Sequence, residues 1–206
     1  MIHENIEKSE CVVFSVGHSN HALDKFIELL HQHRIKVIID VRSHPYSQYA
    51  AQFDMPLLEK ALKTAGIKYM FLGNELGGRP ASTEFYDEEG RVDYSLIAQS
   101  QVFKEGISRM EQDVKTKRTA FMCGEEDPAE CHRRLLIGRV LGEHGITMRH
   151  IRGDGRLQTE DDVAREESRR QGEEGQLLLF AKKEESPWKS IRSVSKAKQQ
   201  PSSSER

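Results

Sequence analysis

The sequence predicts an α/β fold: a single three-layer domain with a mostly parallel sheet of about five strands, helices on both faces and a disordered C-terminal tail. Short, continuous apolar runs rich in β-branched residues, such as CVVFSVG and KVIID, recur along the chain and have the length of buried strands. Between them lie segments whose apolar residues repeat at helical spacing. After Gly155 the composition turns to charge and serine.

The elements follow in order. CVVFSVGHS is a buried strand ending at Gly17. HALDKFIELLHQH is a helix with Leu23, Phe26, Ile27 and Leu30 on one face, and Ser19 or Asn20 is placed to cap it. KVIIDVR is a second buried strand. Asp54 caps a helix over MPLLEKALKTAG, which Gly66 stops. KYMFLGN is a third strand, and YSLIAQSQVFKEGISRMEQDVK reads as one long amphipathic helix. TAFMCG is a fourth strand. Asp127, Pro128 and Glu130 form an N-cap, a first-turn proline and a capping-box acid, opening a helix that runs to Gly145. TMRHIRG is a fifth strand. Residues 1–155 thus form the core domain and 156–206 a charged, largely disordered tail.

Composition excludes some classes of function. The net charge of −2 rules out a protein that binds nucleic acid by bulk charge alone. No apolar run reaches the length of a membrane span, and MIHENIEKSE lacks the apolar core of a secretory signal. Three cysteines, an odd number, argue against a disulfide framework. The expectation is a soluble, cytoplasmic protein without a membrane partner.

In a parallel sheet the chemistry belongs beyond the carboxyl ends of the strands, and polar residues collect there. The first strand ends in Gly17, His18 and Ser19. The second ends in Asp40 and Arg42, with Ser47 close behind. Gly77, Gly78 and Arg79 follow the third, and Glu125 the fourth. A carboxylate at Asp40, ending an apolar strand, is costly without a partner or a role. Asp40 and Glu125 are candidate acid–base or metal-binding carboxylates, and His18 or His132 a candidate proton carrier. Arg42, Arg79 and Arg133 are candidate phosphate ligands, and the Gly77–Gly78 turn would let backbone approach a ligand.

The densest stretch is CGEEDPAECHRR, Cys123 to Arg134. Its cysteines are too far apart for the usual zinc-knuckle pair and no second pair exists, so no metal site is expected from spacing. Two readings of Cys131 stay open: a thiol activated near a helix start by Arg133, or a buried, inert residue on the face that Leu135 continues.

GHSN, IDVRSHPYS, the ELGG turn and CGEEDPAECHRR together resemble domain-of-unknown-function family 488, from about Val13 to about Gly155. The resemblance implies a three-layer α/β fold and no settled activity or cofactor. It places family motif positions on Gly17, His18, Ser19, Asp40, Arg42, Pro45, Ser47, Gly77, Gly78, Cys123, Glu125, Cys131, His132 and Arg133. Gln48 stands where the pattern has a base; if that base helps hold an anion, this chain holds it less strongly or uses Arg79 instead.

One apolar island interrupts the tail. QLLLF is similar to the pentapeptide by which bacterial proteins dock on the DNA sliding clamp, with Gln176, Leu177, Leu179 and Phe180 matching and Leu178 departing. Basic residues from Lys182 to Lys198 would then meet DNA phosphates, and Trp188 would stack on a base. The leading expectation is a bacterial enzyme of nucleic-acid maintenance that hydrolyses a phosphodiester or glycosidic bond. A cysteine-dependent enzyme on a small molecule or sulfur carrier, and a non-enzymatic binding module, are the alternatives.

Overall fold

A computed structural model describes residues 11–47, 49–174 and 188–193. Five parallel strands form the sheet: β1 (Cys11–Gly17), β2 (Val37–Asp40), β3 (Lys68–Phe71), β4 (Thr119–Cys123) and β5 (Ile146–Ile151). A sixth, β6 (Leu157–Gln158), pairs antiparallel with β5, giving the order β3-β2-β4-β1-β5-β6.

Alternation along the strands sorts the core into two layers. Phe14, Val16, Ile38, Ala120 and Met122 face α1 (Leu23–Gln32) and α2 (Met55–Thr64), where Phe26, Leu30, Leu58 and Leu62 cover them. Val13, Val37, Ile39, Phe121 and Cys123 point the other way. There they meet α4 (Tyr94–Gln99), α5 (Gln101–Thr116) and the helix after β4, through Ile97, Phe103, Met110, Ile137 and Leu141. This is the expected three-layer arrangement. A four-residue α3 (Gly73–Leu76) follows β3.

The order of strands decides where a ligand fits. From β1 the chain crosses over α1 to β2, on one side; from β4 it crosses to β5, on the other. The two connections diverge at the neighbouring carboxyl ends of β1 and β4, which opens a crevice between them.

Several elements differ from the sequence expectation. The long helix is broken at Ser100, whose backbone is extended (ψ 147°) and whose hydroxyl accepts from Phe103 N–H, so Ser100 starts α5 as an N-cap. Ser19 and Asn20 do not cap α1; Ala22 holds that position without a side-chain bond. Asp54 does stand before α2, but its Oδ1 accepts from Ser47 N–H at 2.9 Å instead of capping. Asp127 caps only the 3₁₀ turn Pro128–Glu130. The helix proper begins after Cys131, passes through a π-helical stretch (Arg133–Gly138) and continues as α6 (Arg139–Glu143).

Order also extends past Gly155, where composition predicts a disordered tail. Beyond β6, α7 (Glu160–Glu174) docks on the core with a single buried aliphatic residue, Val163. Ion pairs hold the rest: Glu160 and Glu167 both bind Arg134, and Arg170 binds Asp127 at 2.7 Å. Residues 188–193 lie against the loop before α4, where Ser190 N–H donates to Val92 carbonyl at 2.8 Å. Trp188 is not free to stack on a base. Its indole N–H donates to Leu135 carbonyl at 2.6 Å, and Arg139 covers its ring. Lys189 is paired with Asp87, and the largely exposed Arg192 with Glu130. The peptide Gln176–Phe180 lies outside the described residues, as does Gln48.

Candidate functional site

A cleft of about 420 Å³ opens at the carboxyl ends of β1, β2 and β4. The loop after β2 supplies Arg42, His44, Tyr46 and Ser47, the turn after α3 supplies Gly78 and Arg79, and the β4–helix segment supplies Cys123, Glu125, Cys131 and His132. Residues 190–193 close one side.

The cleft floor is built by local geometry. Cys123 ends β4 on the face of Phe121. The 3₁₀ turn then brings the chain back, so that Cys131, extended at φ −110° and ψ 137°, precedes the helix and its carbonyl accepts from Arg134 and Leu135 N–H. The intervening residues thus return Cys131 to Cys123. His132 Nδ1 lies 3.8 Å from each sulfur, and all three donor atoms fall within 4.8 Å of one another. His132 Nε2 sits 3.0 Å from Val41 carbonyl, an oxygen that only accepts, so Nε2 carries hydrogen there and donates. Gly78 backs the ring: a Cβ at that position would stand 2.6 Å from His132 Cγ. The Gly77–Gly78 turn therefore makes its close approach to protein. Sequence spacing marks no metal site; in the fold Cys123, Cys131 and His132 nonetheless place one donor atom each within 4.8 Å of one another.

The two thiols are electrostatically unlike. The Cys123 thiol is pushed up to about 12 by its hydrogen bond to Cys131 and by burial. Burial opposes ionisation of Cys131 too, but the Cys123 thiol, the positive charge of Arg133 and its backbone N–H together bring Cys131 down to about 6. Hydrogen bonding to the anion outweighs desolvation at Cys131.

Beside this floor is a buried group organised around Asp40. Asp40 accepts from Arg42 N–H at 3.1 Å, from Arg42 Nε and Nη2 at 2.9 and 2.7 Å, and from Tyr69 hydroxyl at 2.8 Å. It is fully buried and does not line the cleft, so its oxygens are occupied as an anchor rather than offered as an acid–base group. Arg42 also donates from Nη2 to Phe53 carbonyl and from Nη1 to His18 Nε2 at 3.1 Å. His18 Nδ1 in turn donates to Ser19 carbonyl at 2.7 Å, and its ring stacks on Phe53 at 4.3 Å. Both ring nitrogens are engaged.

Burial lowers the His18 pKa from 6.5 to about 4, against the Ser19 hydrogen bond and with help from Arg42. The folded chain therefore binds fewer protons than the unfolded chain between those values. Stability is fully present above pH 6.5 and falls as the pH drops through 6.5 towards 4. About 2 kcal/mol of loss between pH 7 and pH 5 is expected from this group. Urea denaturation of wild type and His18→Gln at both pH values checks it: the variant should show the shallower dependence, and equal slopes would remove His18 as the titrating group.

The other sequence candidates divide sharply. Arg79, exposed, and Glu125 both reach the cleft. Ser47 lines it too, though its hydroxyl accepts from Tyr49 and Ala50 N–H. Arg133 does not reach it. Only 1% exposed, it donates to Ser15 hydroxyl at 3.2 Å and to the carbonyls of Glu125 and Glu126, so it holds the loop instead of binding phosphate. Gly17 serves the same loop, since a Cβ there would meet Glu125 carbonyl at 2.0 Å. Ser19 turns the chain in the left-handed region (φ 47°) and does not line the cleft.

Sequence reasoning also missed residues. Tyr94 and Ser190 line the cleft without any motif to mark them, and His44 does so from within the IDVRSHPYS block, where it was not singled out. Ser15, His150 and Glu160 form a chain with 2.7 Å links, superficially like a catalytic triad. Ser15 and His150 are fully buried away from the cleft, which makes this a structural tie between β1, β5 and α7.

The family model described as "Domain of unknown function DUF488" matches residues 22–140, more than half of the chain. The chain belongs to this family. No curated protein and no solved structure matches it. The DUF488 segment contains the Asp40–Arg42 anchor, the Gly77–Gly78 turn, Arg79 and the whole Cys123–Arg133 stretch. Gly17 and His18 precede it and residues 190–193 follow it, so the cleft around the DUF488 segment is completed by chain from outside the match.

Proposed function

We propose that the protein is an enzyme of nucleic-acid maintenance that hydrolyses a phosphodiester or glycosidic bond in DNA or a nucleotide. The observation that carries this reading is the cleft itself. It is of nucleotide size, it lies where parallel sheets bind ligands, and it sets the Arg79 and Arg42 guanidiniums beside Glu125 and the Cys–His floor. Arg79, with the Nη1 of Arg42, binds the phosphate. Glu125, exposed at the rim, moves the proton. No helix among the described residues is long and apolar enough to cross a membrane, which suits a cytoplasmic enzyme. Gln176, Leu177, Leu179 and Phe180 recruit it to a bacterial DNA sliding clamp.

One assay tests both parts. Full-length protein is offered nucleotides, single-stranded DNA and clamp-loaded primed DNA, beside a Gln176→Ala/Phe180→Ala double variant. Turnover by the wild type, raised by the clamp, is expected; the double variant should keep turnover and lose only the clamp effect. Binding without turnover on every substrate would sink the enzyme reading in favour of a binding module.

The low pKa of Cys131 favours a second reading, a thiol enzyme acting on a small molecule or sulfur carrier. Iodoacetamide at neutral pH separates the two: the thiol reading requires Cys131 to be alkylated faster than the part-exposed Cys11, with loss of activity.

A further inference from the structure

We propose that Cys123, Cys131 and His132 bind a zinc ion at the floor of the cleft, with a fourth coordination position left to water or substrate. Two thiolates and an imidazole are a soft donor set that suits zinc. The spacing fits as well. In a tetrahedral shell with Zn–S of about 2.3 Å and Zn–N of about 2.0 Å, sulfur and nitrogen stand about 3.5 Å apart. Here both sulfur–Nδ1 distances are 3.8 Å, so only a slight contraction is needed.

The surroundings are those of a metal-bound histidine. Metal-ligating imidazoles usually donate their second N–H to a carbonyl or carboxylate, which fixes the tautomer and aims the other nitrogen. His132 Nε2 does this to Val41 carbonyl at 3.0 Å, leaving Nδ1 between the sulfurs. Gly78 packs so closely on the ring that a Cβ there would stand 2.6 Å from His132 Cγ and 2.9 Å from Nδ1. All three donors also line the cleft. A closed structural zinc site has four protein ligands, whereas three ligands facing a cleft is the pattern of a catalytic site.

The role of the ion rests on the hydrolase reading. There the ion would bring the ionisation of a bound water near neutral pH; Glu125 would take that water's proton, the water oxygen would bond to the phosphorus or the anomeric carbon, and the bond to the leaving alkoxide or base would break, the leaving group taking up the proton from Glu125.

The test uses the full-length, reduced protein stripped of metal, with Co²⁺ and Zn²⁺ as probes. Equimolar Co²⁺ is expected to give a thiolate-to-cobalt charge-transfer band and the strong visible absorption of a tetrahedral site. Zn²⁺ should bleach both, and should protect Cys123 and Cys131 from a disulfide reagent. Cys11, at the opposite end of β1, labels equally with and without metal and is the internal control. Cys131→Ser and His132→Gln should lose the band. Gly78→Ala, which is not a ligand, should weaken Zn²⁺ binding about tenfold to a hundredfold by displacing the ring. If folded wild type shows no charge-transfer band and no zinc protection of the two thiols, the inference is overturned, whatever the ligand variants do. The cobalt spectrum does not depend on turnover, so failure of this inference and failure of the hydrolase reading give different results.

Discussion

Asp40→Asn is expected to destabilise the fold by about 3 kcal/mol or more, because it breaks a buried ion pair and leaves the partner charge behind. The Asp40 carboxylate is fully buried and accepts from Arg42 three times over and from Tyr69. An asparagine presents N–H groups where one of those donors now points, and the Arg42 guanidinium stays enclosed. The loss should propagate to the cleft, since Arg42 also holds His18 Nε2 and the Phe53 carbonyl. Tyr69→Phe, which removes one neutral donor and keeps the charge pair, should cost only about 1 kcal/mol. Urea midpoints of the three proteins measure both values. An Asp40→Asn variant as stable as wild type but inactive would instead make Asp40 a catalytic carboxylate.

The Asp40 carboxylate is turned towards Arg42 and Tyr69 for a reason that the strand pattern itself contains. Val37 and Ile39 share one face of β2 and Ile38 and Asp40 the other. Asp40 therefore points towards Phe53 and Tyr69, beneath the α1–α2 layer, and not towards the face where Cys123 ends β4. Nearness to a strand end was legible; the direction of the side chain needed the period-two alternation to be carried one residue further. β1, β2 and β4 were legible as short, mostly apolar buried runs, and α1 and α2 from their apolar stripes; half-buried β3 and β5, with its Arg149 and His150, carry a weaker pattern, and the two residues of β6 carry none. α7 was not, because ion pairs to Arg134 and Asp127 replace the stripe that periodicity detects. The Cys–His floor was hidden differently. Spacing rules for metal sites describe tight knuckles, in which the ligands are close in sequence. Here a strand end and a helix start are joined through a 3₁₀ turn, which folds the intervening chain back on itself and makes Cys123 and Cys131 neighbours.

Arg79 and Arg133 are both basic residues of the cleft segments, and replacing each separates binding from folding. Arg133→Met should cost about 3 kcal/mol. It keeps the volume but deprives Ser15 hydroxyl and the Glu125 and Glu126 carbonyls of a shared buried donor. Any fall in ligand affinity should follow the loosened loop, because the Arg133 side chain is sealed beneath it. Arg79→Ala should change stability by less than about 0.5 kcal/mol, as expected for an exposed side chain. Its effect falls on binding: loss of a charged hydrogen bond to phosphate is worth about 1.5 kcal/mol or more, so nucleotide affinity should drop at least about tenfold. Calorimetric titration with a nucleoside monophosphate, beside urea denaturation, reads both quantities on each variant. Unchanged affinity in a well-folded Arg79→Ala would remove Arg79 from ligand binding. The phosphate would then have to be held by Arg42 or Arg192, the other arginines that line the cleft among the described residues.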